Sequence, residues 1–387
     1  MREVRIGLIG AGWMGKAHTV AYRNVPLVFG PEPAIPKLEV IADVNPEWAR
    51  AGAESLGYAR WTGDWRVVVE DPRVDVVDIT TPNDVHAEIA LAALAAGKPV
   101  YCEKPLANTA AETRAMAEAA KAAGVTTLVG FNYLKNPAHP FARKLIEEGA
   151  LGRITLFRGT FDQDIMSDPD FPFTWRHDRR LAGSGTLGDM ASHTLAYARY
   201  LLGDVVEVCG MCETFIRERP VATSGSGQTS RTDAGAPRRA VENDDVTQFL
   251  MRFANGAIGT IGSSRIGTGR KMGLGYEIHG TEGALFFTQE RMNELKLYRH
   301  TDPTGERGYK TLYLAPEFPG YAAFHPIPGN ALGYNDQKII EARELICAIA
   351  EGRPAEPDFR FGHEITRVID AVLKSTEDRR WVRIDEI

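Results

Sequence analysis

Over the first third of the chain, short apolar runs alternate with longer helix-forming stretches. Val4–Ile9, Leu38–Ala42, Val74–Ile79, Lys98–Cys102 and Val125–Gly130 are runs of strand length with little polar interruption, as expected of strands buried on both faces of a parallel sheet. Lys16 to Asn24, Ala87–Ala96 and Ala107–Ala123 read as the helices between them. This alternation predicts a doubly wound α/β unit. From Gly152 the texture changes. Ile154–Thr160, Val205–Phe215, Asp245–Phe253, Ala257–Ser264, Lys271–Gly280 and Ala284–Gln289 read as strands joined by turns, with Asn255-Gly256 as a hairpin signal. They predict a second, α+β domain on a mostly antiparallel sheet. Thr223–Pro237 is rich in Ser, Gly and Thr and predicts a mobile loop between two sheet strands, while Tyr334–Ala350 and Gly362–Thr376 read as amphipathic helices. The expected domains are 1–133 and 134–387.

The first strand runs into Gly10-Ala-Gly-Trp-Met-Gly15, a Gly-x-Gly-x-x-Gly that follows a strand and opens a helix. The first glycine makes the tight turn, the second admits a pyrophosphate to the backbone, and the third lets helix and strand pack closely. The helix N-terminus adds N–H donors and positive dipole. An acidic residue is needed at the end of the second strand, and Asp43 stands there. It comes late because Pro26–Pro36 is inserted, a stretch whose prolines and glycine break any helix. A carboxylate at this point accepts hydrogen bonds from ribose hydroxyls and repels a 2′-phosphate, and Val44-Asn-Pro46 contains no Arg or Lys. NAD is favoured over NADP. Asp43 could equally be the N-cap of a helix beginning at Pro46.

Two further stretches carry chemistry. Tyr101-Cys-Glu-Lys-Pro-Leu106 places Glu103 and Lys104 where a strand must end, because Pro105 forbids both a continued ladder and an immediate helix. Open α/β sheets bind ligands at such strand ends, although the same residues also read as a charged pair on a solvated loop. Leu187–Leu202 is helical between glycines, with Asp189 and His193 four residues apart on one face. A carboxylate so placed can orient an imidazole and raise its basicity. The pair could also be half of a metal site, with His177 as a third ligand, or an ordinary surface pair.

A length of 387 residues calls for about two domains. A net charge of -6 gives no support to nucleic acid or an anionic membrane as partner. Cys209 and Cys212 lie in an alternating strand pattern with no second ligand pair, so four cysteines make neither a zinc site nor a disulfide framework. The chain enters a core strand almost at once, leaving no room for a signal peptide, and no apolar run approaches the ~20 residues of a membrane span. A cytoplasmic protein is expected.

Gly10–Gly15, Thr81-Pro-Asn-Asp-Val-His86, Glu103-Lys-Pro-Leu106 and Asp189-Met-Ala-Ser-His193 together resemble the glucose–fructose oxidoreductase, inositol dehydrogenase and rhizopine-catabolism (Gfo/Idh/MocA) family over essentially the whole chain. The resemblance implies an N-terminal Rossmann domain and a C-terminal domain with a large open sheet. It also implies oxidation or reduction of one carbinol carbon of a sugar or cyclitol with a nicotinamide cofactor. Lys104 would face the reacting hydroxyl, His193 would be the general base, and Asp189 would orient His193 or bind the neighbouring hydroxyl. Gly10, Gly12, Trp13, Met14, Gly15, Asp43, Thr81, Pro82, Asn83, His86, Glu103, Lys104, Asn132, Trp175 and Arg176 would surround the cofactor. Many members carry an aspartate three residues after the histidine, where this chain has Ala196, a change that bears on substrate contacts or helix packing. Leu181–Asp189, Trp175-Arg176 and Gly333–Lys338 look most like members that oxidise an anhydro-sugar. By that likeness Tyr133, Gln163 and Tyr334 would touch substrate, unless they are sheet-face and helix-cap residues. Sheets of this kind pair face to face, so a homodimer or homotetramer is expected. Two other readings share the fold: a glycosidase that retains NAD and oxidises its substrate transiently, and a regulator that binds without catalysis.

Overall fold

In the computed structural model, which describes residues 2–224 and 230–387, six parallel strands form the first sheet. They are β1 (Glu3–Ile9), β2 (Ile35–Ala42), β3 (Arg60–Thr62), β4 (Val76–Ile79), β5 (Val100–Cys102) and β6 (Thr127–Val129), in the order β3-β2-β1-β4-β5-β6. The order reverses between β1 and β4, and their C-terminal ends open the crevice in which doubly wound sheets bind ligands. Helices α1 (Trp13–Phe29), α2 (Pro46–Leu56), α3 (Trp65–Glu70), α4 (His86–Ala95) and α5 (Ala110–Ala123) join the strands. The ends of α2 and α5 follow local rules. Asn45 accepts from Glu47 N and Trp48 N ahead of Pro46, and Thr109 and Glu112 form a reciprocal capping box. Gly57 and Gly124 close these helices at positive φ.

Helix α1 does not stop before Pro26 but runs on to Phe29. Pro26 lies close to its C-terminal end, so the missing N–H costs one late hydrogen bond while buried Val25 keeps its packing. The inserted segment is correspondingly shorter than the sequence predicts.

The second sheet has nine strands: β7 (Ile154–Asp162), β8 (Val205–Glu213), β11 (Val246–Phe253), β12 (Ile258–Ser264), β13 (Gly273–Gly280), β14 (Gly283–Thr288), β15 (Glu294–Arg299), β16 (Lys310–Tyr313) and β17 (Val382–Arg383). Their order is β16-β15-β14-β13-β7-β12-β11-β8-β17, and among the described residues only β7 and β12 of this sheet pair in parallel. Two short strands, β9 (Glu218–Pro220) and β10 (Arg238–Ala240), form a separate antiparallel ribbon. This ribbon flanks the predicted loop Thr223–Pro237. Its Ser224 and Arg231 also bridge, and residues 225–229 lie outside the described residues. Asn255-Gly256 does form the hairpin between β11 and β12, with Gly256 at φ 86.

One face of this sheet, carrying Phe157, Phe161, Phe249, Ile261, Tyr276 and Phe287, is buried. Helix α8 (Ser192–Leu202) packs on it so closely that a Cβ on Gly159 would meet Thr194 Cγ2 at 2.3 Å. The unit also contains α6 (Ala138–Glu147) and α7 (Arg179–Ala182).

The two compact units are Met1–Lys135 with Gly333–Glu364, and Asn136–Leu332 with Ile365–Ile387. A single cut between 133 and 134 assigns Gly333–Glu364 to the second domain, whereas that segment packs with the first. The cause is α9 (Tyr334–Glu351), which lies along α1 and buries Gln337, Lys338, Glu341 and Ala342. Helix α10 (Phe359–Asp378) ends the helical set. Among the described residues no helix is long and apolar enough to cross a membrane.

Candidate functional site

In the first unit, the glycine loop sits at the end of β1 against the end of β4. Gly10 has φ 108, and a Cβ there would meet the Thr80 backbone at 2.8 Å. A Cβ on Gly15 would strike Gly10 O at 2.1 Å, so the helix is seated directly on the turn. No described residue lies within 4 Å of a Cβ built on Gly12, which leaves its backbone open to approach. Asp43 is not the cap of α2, since Asn45 fills that role. Its Oδ2 accepts from Ala11 N at 2.9 Å and its Oδ1 from Asn45 N at 2.9 Å. The acidic residue and the glycine loop are therefore joined, with carboxylate lone pairs left over for ribose hydroxyls.

Around this crevice, Trp13 is 57% exposed and stacks on Tyr334 at 5.9 Å, and Tyr133 meets Tyr334 edge-on at 5.8 Å. Met14 lies 4.0 Å from the Tyr334 hydroxyl. Tyr334 is the first residue of α9, whose N-cap is Gly333. Pro82 leads into a short 3-10 turn at Asn83–Val85 after β4. His86 is wholly buried between Thr81 O at 2.9 Å and Pro105 O at 3.1 Å, so it ties the turns after β4 and β5 together. Burial lowers its pKa despite these carbonyls. The buried Thr81 Oγ1 and Asn132 Nδ2 have no hydrogen-bond partner among the described residues. Buried polar atoms are nearly always satisfied. Two such atoms, an open Gly12 and the Asp43 carboxylate fit a dinucleotide laid across the loop.

Glu103 and Lys104 follow β5, and the Lys104–Pro105 peptide is cis. Glu103 turns inward rather than to solvent. Its Oε1 lies 2.6 Å from Lys338 Nζ and 2.8 Å from His18 Nε2, while its Oε2 accepts the Lys104 N–H at 3.1 Å. Any cofactor contact of Glu103 is therefore left to its remaining Oε2 lone pair. A larger cluster lies behind it. His18 Nδ1 lies 3.0 Å from Asp78, and Tyr22 donates to the Asp78 carboxylate at 2.8 Å. Lys338 also meets Glu341 at 2.9 Å, and the Tyr101 hydroxyl donates to Glu341. Burial raises the pKa of Glu103, but the Lys338 ammonium and His18 outweigh it and hold the carboxyl well below the usual carboxylate range. Burial likewise opposes the charge on Lys338, and the Glu103 and Glu341 carboxylates reverse that, raising its pKa.

The second unit places Trp175, Arg176, Asp189 and His193 near one another. Leu187–Ala191 is one π-helical turn leading into α8, not the regular α-helix that the sequence predicts from Leu187. Such turns recur at functional sites because they redirect side chains within a helix. Asp189, on this turn, pairs with Arg176 at 3.4 Å, and the Arg176 guanidinium lies 4.4 Å over the Trp175 ring. His193 follows in α8, 5% exposed, with its ring 5.9 Å from that of Phe161.

The turn is anchored at its start by Asp244. Its carboxylate accepts from Gly185 N at 2.7 Å and Leu187 N at 2.8 Å, and its carbonyl accepts from Thr186 N at 3.0 Å. A Cβ at Gly185 would lie 1.9 Å from that carbonyl, which explains the glycine. Asn243 Nδ2 donates to Arg176 O at 2.8 Å, so adjacent residues fix both partners of the Arg176–Asp189 pair. His177 accepts from Thr174 N at 2.9 Å; burial, with Arg265 and Arg219 nearby, pushes its pKa down to about 2. Its Nδ1 is thereby committed to the backbone. Gln163 stands just past the end of β7, an interior strand of the sheet, and donates its amide to Lys271 O at 3.1 Å.

Sequence reasoning missed His18, Asp78, Lys338 and Glu341 in the first unit and Asp244 in the second. One signal was visible. Asp78 interrupts an otherwise apolar strand and is wholly buried, so it needs partners.

Residues 4–131 match the oxidoreductase family with an NAD-binding Rossmann fold, and residues 140–286 match the Gfo/Idh/MocA C-terminal domain. Levoglucosan dehydrogenase of Pseudarthrobacter phenanthrenivorans is 44% identical over 388 residues, covering 100% of both chains. Myo-inositol 2-dehydrogenase of Thermotoga maritima is 27% identical, covering 99% of each. A solved structure of levoglucosan dehydrogenase in complex with NADH and levoglucosan superposes with a TM-score of 0.94 at 43% identity, covering 100% of both chains. The chain belongs to the Gfo/Idh/MocA family of oxidoreductases and carries that family's NAD-binding Rossmann domain.

Proposed function

We propose that this protein is an NAD-dependent dehydrogenase that oxidises a secondary hydroxyl of an anhydro-sugar of the levoglucosan type to a ketone. The observation that carries the reading is the full-length likeness to levoglucosan dehydrogenase, well above that to the inositol enzyme. Lys104, Asp189 and His193 supply the chemistry. NAD, when bound, supplies the hydride acceptor. His193 takes the hydroxyl proton, and the Lys104 ammonium stabilises the alkoxide charge that develops as hydride leaves. Asp189, held by Arg176, orients His193 or binds the neighbouring hydroxyl. The test is the mass of the product formed from levoglucosan and NAD. Loss of two hydrogens with the carbon skeleton intact supports the reading, whereas a cleaved or unchanged sugar contradicts it.

Asp43 reads the adenosine ribose in this account. Asp43→Ala is expected to lower the ratio of kcat/KM with NAD to that with NADP by at least ~10-fold, the worth of about 1.4 kcal/mol. An unaltered ratio would mean that another group selects the cofactor.

A second copy of the chain covers the open face of the nine-stranded sheet. Along β11 the buried and exposed residues alternate strictly, and Leu250 (49% exposed), Ile258 (51%) and Met211 (69%) point outward near the Arg252–Glu207 ion pair. An exposed apolar patch rimmed by charge marks an interaction surface, and in a symmetric oligomer the same patch meets itself. Leu250→Glu is expected to convert a dimer or tetramer to a smaller species in light scattering; unchanged mass would place the interface elsewhere.

A further inference from the structure

We propose that Lys338 is the positioning residue of the Glu103–Lys104 turn, holding the Glu103 carboxylate so that it fixes the backbone from which Lys104 projects. The inference rests on the dehydrogenase reading for its kinetic consequence, but its structural basis lies wholly within the first unit.

The two oxygens of Glu103 have divided duties. Oε1 takes Lys338 at 2.6 Å and His18 at 2.8 Å, and Oε2 takes the N–H of Lys104 at 3.1 Å. The carboxylate lies against Gly130, where a Cβ would come within 2.7 Å of Oε1, so no side chain at that position could share the space. Backbone bonds tie the same turn to its neighbours: Glu103 N donates to Ile79 O at 2.9 Å and Gly130 N to Cys102 O at 2.9 Å. Lys338 itself is 1% exposed and reaches a partner on each of three elements. These are His18 of α1, Tyr101 and Glu103 of the β5 segment, and Glu341 of α9. It comes from the late segment Gly333–Glu364, one helical turn after Tyr334, which stacks on Trp13 of the glycine loop. The start of α9 thus touches both the glycine loop and the Glu103–Lys104 turn.

Charge explains why a lysine is needed. The groups facing Glu103 are His18 of α1, Asp78 of β4, His86 of α4, Tyr101, Cys102 and Lys104 of its own segment, and Tyr334, Lys338 and Glu341 of α9. Three carboxylates are buried here: Lys338 contacts those of Glu103 and Glu341, and His18, where burial opposes the charge but Asp78 raises the pKa, contacts those of Asp78 and Glu103. Without the ammonium, the cheapest relief is to protonate a carboxylate. A proton on Oε2 of Glu103 turns a charged acceptor into a hydroxyl oxygen, a weaker acceptor for the Lys104 N–H, and loosens the turn.

The test compares Lys338→Met, Lys338→Arg and the double variant Lys338→Met with Glu103→Gln. In the wild type Glu103 stays ionised throughout the assay range and contributes no acid limb. Lys338→Met is expected to lower kcat at least 10-fold at pH 6 and to show a new limb, with activity recovering as pH rises and Glu103 ionises. Lys338→Arg keeps the charge and is expected to show no limb. The double variant is expected to lose the limb, because glutamine cannot titrate, and its amide oxygen can still accept the Lys104 N–H. A merely structural lysine would lower stability in both methionine variants without creating a limb that Glu103→Gln removes. A second readout needs no turnover. Hydrogen–deuterium exchange of the cofactor-free protein should show the Tyr101–Leu106 peptide exchanging at least 10-fold faster in Lys338→Met, and at the wild-type rate in Lys338→Arg. Equal exchange in all variants overturns the proposal even if the wild type proves inactive on every sugar. Faster exchange with an inactive wild type would overturn the dehydrogenase reading and leave the positioning role standing.

Discussion

His193→Ala is expected to lower kcat/KM for the sugar by about 10²–10⁴-fold, the range a positioned general base contributes. Its position supports an effect of this size. The imidazole is almost wholly buried at the start of α8, directly after the π-helical turn that carries Asp189. The helix cannot drift to let another group take over. Asp244 holds the N–H groups of Gly185, Thr186 and Leu187, and Thr194 sits hard against Gly159. Alanine suits a helix interior, so the helix persists and the loss falls on the chemistry. NADH binding, which depends on the glycine loop and Asp43 in the other unit, should stay within about threefold of wild type by fluorescence titration. Retention of turnover within a few-fold would remove His193 from the reaction.

Lys104→Ala is expected to cost about 10²–10³-fold in kcat, or about 2.7–4 kcal/mol, as when one preorganised donor to a developing oxyanion is lost. Charge appears on the substrate oxygen only as hydride departs, so kcat and kcat/KM should fall together. A raised KM at unchanged kcat would make Lys104 a binding group alone. The small size of alanine is not a concern at this half-buried position, because the turn is held by the Glu103 side chain and by backbone bonds to Ile79 O.

Much of the first unit was legible in the sequence because its signals are local. A glycine loop between strand and helix, an acidic residue at the next strand end and apolar runs of strand length each reflect a backbone requirement within a few residues. Asn255-Gly256 marked its hairpin for the same reason. The features that escaped depend on distant partners. Lys338 lies on a helix with an ordinary mixture of charged and apolar residues, and its burial is set by Glu103, 235 positions earlier. The same long return moves Gly333–Glu364 into the first unit. The π-helical turn leaves no mark either, since one widened turn barely disturbs helical periodicity. Strands such as Arg60–Thr62 are too short to display alternation. Glu103 shows the limit most clearly. Its type and position mark a strand-end site, yet its carboxylate points into a buried ion cluster that no local pattern discloses.

The central claim is net oxidation of a sugar hydroxyl with release of NADH. Two rivals share the fold: a glycosidase that retains its NAD, and a binding protein that performs no chemistry. The most direct test is absorbance at the NADH wavelength with purified protein and NAD. Levoglucosan, glucose, xylose, myo-inositol and scyllo-inositol are offered separately, with NADP run in parallel. Steady NADH formation with levoglucosan is expected, faster than with the other sugars and faster with NAD than with NADP. No NADH from any of the five, in a protein that still binds NAD tightly, would contradict it.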